Sequence, residues 1–289
     1  MSANTSLQAA IQAENLSARY GRLQVYQALS FSVETGSCVA LVGANGAGKS
    51  TLLRQLVGQS NSPTGRVRIL GTAAGSLSAR RAMAYAPQFL DYPAGLRVLD
   101  VIHFVKALYG SPAESLAQSI ELFGVNELLQ RPADRLSGGE AKRVSLSLAL
   151  GSNTPILLLD EPAASLDPVY QRALAHALRA LRGSKTILFV SHDLPASLQL
   201  ADRLLQLEGG QLRQDLNLTH GQMLARMSFE ANDCPPLPGA LEQRRIGRHW
   251  EVRSLDPDAL VRWLVHSGIA FSRLNIGPDS AQQNKEPPQ

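Results

Sequence analysis

Apolar positions along the chain fall into three patterns, each predicting a different element. Unbroken runs occur at Cys38-Val39-Ala40-Leu41-Val42, Ile156-Leu157-Leu158-Leu159 and Ile187-Leu188-Phe189-Val190. Runs without polar alternation predict central parallel strands, buried on both faces. Looser strand patterns cover Glu14–Tyr20, Val25 to Val33, Arg66–Leu70 and Met83–Ala86, and 204–212 reads as a closing hairpin. Helical spacing appears in Val98, Leu99, Ile102, Val105, Leu108 and Tyr109, broken by Gly110-Ser111-Pro112. A second helical stretch carries Leu116, Ile120, Leu122, Phe123 and Leu128, and residues 141–150 and 169–182 are also helical. Buried strands interleaved with helices predict an α/β fold.

The pattern changes beyond about residue 216. A linker is expected over 215–239, ending in Cys234-Pro235-Pro236-Leu237-Pro238-Gly239. A small β-β-α-β unit follows over 240–277: a strand at Ala240–Ile246, a second at His249–Val252, a helix opening at Asp256-Pro257, and a third strand at Ile269–Ile276. Residues 278–289 are polar and proline-containing and are expected to be disordered, and 1–11 read as a loose leader.

Composition narrows the functional classes. At 289 residues and 44% hydrophobic, the chain has room for a sizeable core. Its net charge of +4 is spread along the chain. The densest basic cluster, Arg244-Arg245-Ile246-Gly247-Arg248, is flanked by Glu242 and Glu251 and reads as a solvated face, so no nucleic-acid partner is expected. Cys38 and Cys234 lie far apart without metal-binding spacing, which argues against a disulfide framework or a zinc site. The N-terminus lacks a charged-then-apolar leader, and no apolar run approaches the roughly 20 residues of a membrane helix. A cytoplasmic protein is expected.

The chemistry centres on Gly43-Ala44-Asn45-Gly46-Ala47-Gly48-Lys49-Ser50, set between an apolar strand and the helical-looking Thr51–Val57. Glycines let the loop bend and its N–H groups reach phosphate oxygens, and the following helix adds its positive end. Lys49 is suited to the β- and γ-phosphates and Ser50 to Mg²⁺. Asp160 and Glu161 follow the aliphatic run at a strand's carboxyl end, where open α/β sheets bind ligands. Asp160 is suited to holding Mg²⁺, and Glu161 to polarising an attacking water. His192 also stands at a strand's carboxyl end, and Gln88 at another could face a metal-bound water or be plain surface. Tyr20 offers a flat face for an adenine ring, although its residue type alone favours a half-buried strand tyrosine. Ser137, ahead of Gly138-Gly139-Glu140, can cap a helix whose exposed N–H groups form a second anion site, or can be an ordinary cap.

Phosphate loop, Leu136-Ser137-Gly138-Gly139-Glu140, Asp160-Glu161 and His192, in that order, resemble the ATP-binding cassette (ABC) ATPases, the nucleotide-binding subunits of ABC transporters. The resemblance covers roughly residues 12–214, about 70% of the chain. It implies a P-loop NTPase fold with a parallel-sheet core, an antiparallel β subdomain and a helical subdomain, followed here by the small α+β extension. It also implies a head-to-tail dimer, of identical or paired cassettes, with two ATP molecules and Mg²⁺ at the interface. Each ATP would lie on Gly43, Ala44, Asn45, Gly46, Ala47, Gly48, Lys49, Ser50 and Thr51 of one subunit and be closed by Ser137, Gly138 and Gly139 of the other. By the same resemblance Tyr20 stacks adenine, Gln88 senses Mg²⁺ and the attacking water, His192 holds the γ-phosphate, Asp167 crosses the interface and Glu161 is the general base. Two positions depart from the family pattern: Glu140 replaces the usual glutamine and Ser165 a frequent glycine.

The implied partner is a separately encoded permease, which would place the chain on the cytoplasmic face of the membrane. The segment Gln88–Pro93 and the helix at 98–109 would receive a short permease helix. The extension looks like one found on exporter-type cassettes, so export is expected over import. The alternative is a soluble ABC ATPase of the repair or ribosome-associated kind. No heptad run separates the phosphate loop from the signature and a single phosphate loop is present, which favours the transporter subunit.

Overall fold

The computed structural model describes residues 9–60, 62, 64–218 and 224–279. It divides into two compact units, meeting in the chain at Asn217 and Leu218. The first unit runs β1 (Ala9–Tyr20), β2 (Leu23–Glu34), β3 (Cys38–Val42), α1 (Lys49–Leu56), β4 (Arg66–Ile69), β5 (Thr72–Ala73), α2 (Leu77–Arg81), β6 (Met83–Ala86), α3 (Val98–Tyr109), α4 (Ala113–Leu122), α5 (Gly138–Leu150), β7 (Ile156–Asp160), α6 (Pro168–Leu181), β8 (Thr186–Ser191), α7 (Leu194–Leu200), β9 (Arg203–Glu208) and β10 (Gln211–Asn217).

The aliphatic runs become the middle of a six-stranded sheet ordered β10-β9-β3-β8-β7-β6. The pairs β9–β3, β3–β8, β8–β7 and β7–β6 are parallel, and β10 closes one edge antiparallel. Every residue of β3 and β7 is buried, as their unalternating sequences predict. A second, antiparallel sheet is ordered β2-β1-β4-β5. One core joins the two sheets through α1: Leu52, Leu53 and Leu56 pack with Ile11 and Leu16 of β1 and with Leu158, Val190 and Leu205 of the large sheet. α3, α4 and α5 form the helical part, where α4 and α5 pack together. The parallel core, antiparallel β part and helical part are those of the expected ABC ATPase fold.

At three places the structure differs from the sequence reading. β1 begins at Ala9 with Ala10 and Ile11 fully buried, so the strand reaches into the segment read as a leader. Pairing of Ile11 with both Val33 and Ile69 fixes it there. The second unit contains β11 (Ala225–Ala231), β12 (Glu242–Ile246), β13 (His249–Ser254), α8 (Pro257–His266) and β14 (Phe271–Pro278), in a sheet ordered β12-β13-β11-β14. β11, inside the segment read as a linker, is thus an inner strand of the extension. Its Met227, Phe229 and Ala231 alternate into a core with Trp250, Val252, Leu260 and Leu264. The expected disordered tail is ordered at its first two residues: Pro278 ends β14 opposite Ala225, and Asp279 is buried, its N–H donating to the Leu224 carbonyl at 3.0 Å and its carboxylate pairing with Arg253 at 2.9 Å; the rest of the tail lies outside the described residues.

Candidate active site

The phosphate loop joins β3 to α1, and close packing explains two of its glycines. A Cβ on Gly43 would lie 2.2 Å from the Leu207 carbonyl oxygen. Gly48, the N-cap of α1, has φ of +99°, and a Cβ there would lie 2.5 Å from Val25. Lys49 follows at the first position of α1, only 6% exposed. Its ammonium donates to the carbonyl oxygens of Gly43 (2.8 Å) and Ala44 (3.0 Å), so the lysine folds back across its own loop. Burial pulls its pKa down, opposed by the Glu161 and Asp160 carboxylates.

The Ser50 hydroxyl donates to the Asp160 carboxylate at 3.1 Å. Asp160 ends β7 and is 2% exposed, and burial pushes its carboxyl up while the Ser50 hydrogen bond and Lys142 hold it down. This donor set fits Mg²⁺, a hard cation that takes one or two protein oxygens and fills its shell with water and phosphate. Among the described residues no group of three or more His, Cys, Asp or Glu side chains is placed to hold a metal ion together.

Glu161 leaves the strand with φ of +46° and is 7% exposed. Its N–H donates to the Val190 carbonyl at 3.1 Å, and its carboxylate lies 2.8 Å from Nδ1 of His192 on the exposed side of the site. A left-handed backbone at a non-glycine residue just past a strand end is the kind of strain that gathers at functional sites. Tyr20 ends β1 and is 56% exposed, and its hydroxyl lies 3.2 Å from that of Thr51. The tyrosine thus stands beside the phosphate loop with about half of its surface open, which leaves both readings of its role in place.

Gln88 is exposed and lines a cleft of about 810 Å³ that Asp160 also lines. Ser137 caps α5 in a reciprocal box: its hydroxyl accepts from the Glu140 N–H, while its own N–H and hydroxyl donate to the Glu140 carboxylate at 2.9 Å each. Glu140 also pairs with Arg131. The Ser137 N–H, the Ser137 hydroxyl and Arg131 hold the Glu140 carboxyl below the usual carboxylate range. A Cβ on Gly139 would lie 2.8 Å from the Ser165 carbonyl oxygen, so the glycine lets α5 approach the 163–167 loop. Asp167 closes that loop as the N-cap of α6. Among the described residues Ser137, Gly138, Gly139 and Asp167 form no hydrogen bond to the phosphate loop, whereas Lys49, Ser50, Asp160, Glu161 and His192 gather around its end.

Sequence reasoning missed Lys142. This α5 residue is 4% exposed, and its ammonium donates to the carbonyl oxygens of Asp160 (2.7 Å) and Pro87 (3.0 Å). Burial lowers its pKa to about 8, against the pull of Asp160 and Glu161. The available signal was weak: Lys142 stands next to Arg143 in the first half of α5, and only the apolar and small run from Val144 to Leu150 behind it marks the helix as buried.

The family model described as ABC transporter matches residues 26–164. A Nod factor export ATP-binding protein I of Burkholderia orbicola is 33% identical over 210 residues, covering 70% of this chain and 69% of that protein. The chain belongs to the ABC transporter family. A sulfate/thiosulfate import ATP-binding protein CysA of Yersinia pseudotuberculosis is 32% identical over 215 residues, 71% of this chain and 59% of the relative. The chain thus spans between 59% and 69% of the length of these two relatives. A solved ATP binding subunit of an ABC transporter superposes with a TM-score of 0.67 at 25% identity, covering 72% of this chain and 90% of that one. The chain carries the family's ATP-binding ATPase domain.

Proposed function

We propose that this chain is the ATP-hydrolysing subunit of an ABC transporter. Two copies close around two Mg²⁺–ATP and drive a separately encoded permease from the cytoplasmic face of the membrane. The observation that carries the hydrolytic reading is the Glu161–His192 contact of 2.8 Å beside Lys49 and the Ser50–Asp160 pair.

Lys49 gives up the Gly43 and Ala44 carbonyls and turns its ammonium to the β- and γ-phosphates. The loop N–H groups from Gly43 to Thr51 and the N-terminal end of α1 hold the remaining phosphate charge. Ser50 and Asp160 would hold Mg²⁺ through their oxygens, with Gln88 as a further ligand or sensor for the ion and the attacking water, and the ion would supply charge neutralisation on the transferring phosphoryl group. Glu161 accepts the proton of the attacking water, and His192, tied to Glu161, reaches the γ-phosphate. Tyr20 stacks on adenine. Ser137, Gly138 and Gly139 of the second copy close the site, with Asp167 crossing between subunits. Both half-sites are intact in one chain, which supports closure by an identical copy.

The cleft beside Gln88 supports a permease partner. Leu77, Phe89 and Leu108 line it and are largely exposed, and Arg54, Arg80 and Arg81 line it as well. No helix among the described residues is long and apolar enough to cross a membrane. Export is the direction we favour, from the α+β extension; the relatives above include both an importer and an exporter. The soluble repair or ribosome-associated reading lacks a comparable supporting feature.

Glu161→Gln is expected to bind ATP normally and to lose at least about 100-fold in turnover. Near-normal hydrolysis by that variant would remove Glu161 from its role. Lys49→Ala is expected to lose nucleotide affinity, measured by equilibrium titration with ATP.

A further inference from the structure

Lys142 stands at the start of the second turn of α5, five residues after Ser137. An ammonium buried this deeply is costly unless its protons are bonded. Its partners are two main-chain carbonyls, those of Asp160 at 2.7 Å and Pro87 at 3.0 Å. Each belongs to the residue just before one of the proposed site residues, Glu161 and Gln88.

The register of the sheet explains why these two carbonyls lie close together. β6 and β7 pair in parallel from Met83 opposite Ile156 to Ala86 opposite Leu159, and the ladder then stops. Pro87 and Asp160 are the next residues on each strand. Beyond Ala86 the chain turns to Pro87, which has no N–H to continue the pairing. The Lys142 ammonium spans the position where the next rung would fall.

We propose that Lys142 is a positioning residue: its ammonium ties the ends of β6 and β7 to each other and to α5, and so fixes Gln88 and Glu161 relative to one another at the phosphate. The inference rests on the function proposed above. It also joins the two halves of that function, because α5 opens with Ser137-Gly138-Gly139. When these residues close on a partner's nucleotide, a displacement of α5 passes through Lys142 to the hydrolytic residues of the same chain.

The test compares Lys142→Met and Lys142→Gln in the full-length chain, measuring kcat, ATP affinity and bound nucleotide per chain. Methionine keeps the length and apolar stem but bonds neither carbonyl; glutamine keeps a donor for one of them. Lys142→Met is expected to lower kcat at least about tenfold, with ATP affinity within about threefold of wild type and unchanged binding stoichiometry. Lys142→Gln is expected to fall between the two. A misfolding variant would instead lower stoichiometry and kcat together. If the methionine variant yields no folded protein, the glutamine variant is read alone, with an expected loss of about threefold in kcat at unchanged affinity. Wild-type kcat in a folded variant, or a kcat loss fully matched by lost binding stoichiometry, overturns the inference. Glu161→Gln is measured alongside: normal turnover there overturns the reading of the site and the inference with it. An inactive Glu161→Gln beside a fully active Lys142→Met overturns only the role of Lys142.

Discussion

Ser165 and Glu161 both hold a left-handed backbone, with φ of +62° and +46°, and neither is glycine. For an L-residue this conformation costs roughly 1–2 kcal/mol. At Glu161 the strained residue stands just past a strand end, with its carboxylate 2.8 Å from His192. At Ser165 no hydrogen bond of the side chain accounts for the choice of residue among the described residues, although its carbonyl oxygen crowds Gly139. Ser165→Gly is expected to raise the unfolding free energy by about 1 kcal/mol, read from denaturant midpoints at unchanged slope. The departure at Ser165 was visible in the sequence as a missing glycine, but its backbone angle was not. Lys142 was less legible still. Its partners are main-chain atoms 18 and 55 residues away, and nothing in their side chains marks them. By contrast the loop from Gly43 to Ser50 and the Asp160-Glu161 pair were readable because contiguous residues carry their chemistry.

At the scale of elements, the N-terminus of α5 shows what Glu140 does in place of the family's usual glutamine. Its carboxylate accepts the Ser137 N–H and hydroxyl and pairs with Arg131, closing the first turn of the helix. Loss of such a cap costs about 1 kcal/mol, which is the expected effect of Glu140→Ala on stability. Since the folded state lowers the pKa of Glu140, its contribution is fully present above the unfolded value, about pH 4.5. It is lost as pH falls through the folded value. The stability advantage of wild type over Glu140→Ala should therefore shrink in acid, as checked by urea midpoints on either side of pH 4. An advantage that grew in acid would contradict the assignment of the cap. The same serine is proposed to face a partner's phosphate, so the cap and the second half-site occupy one helix end. Sequence alone left those two readings level; the structure shows the cap, and the dimer is what the second reading adds.

At the scale of the whole molecule, the proposed residues all lie in the first unit, from Tyr20 to His192. A chain ended at Asn217 is expected to retain ATP affinity within about threefold, since the second unit has its own core and contributes none of them. A tenfold loss of affinity would show that the extension supports the site. Aliphatic runs and helix spacing made the first unit largely legible. The extension was read one strand short because Met227, Phe229 and Ala231 alternate within a stretch that ends in Pro235, Pro236 and Pro238. The prolines dominated the reading, while burial against Trp250 and Leu260 decided the fold. The central claim is that each chain holds two incomplete half-sites that close around shared nucleotide. Sedimentation of Glu161→Gln with and without ATP and Mg²⁺ tests it most directly. A shift from monomer to dimer on adding ATP, abolished by a further Ser137→Arg, is the predicted result. Saturating ATP binding by a species that stays monomeric would contradict it.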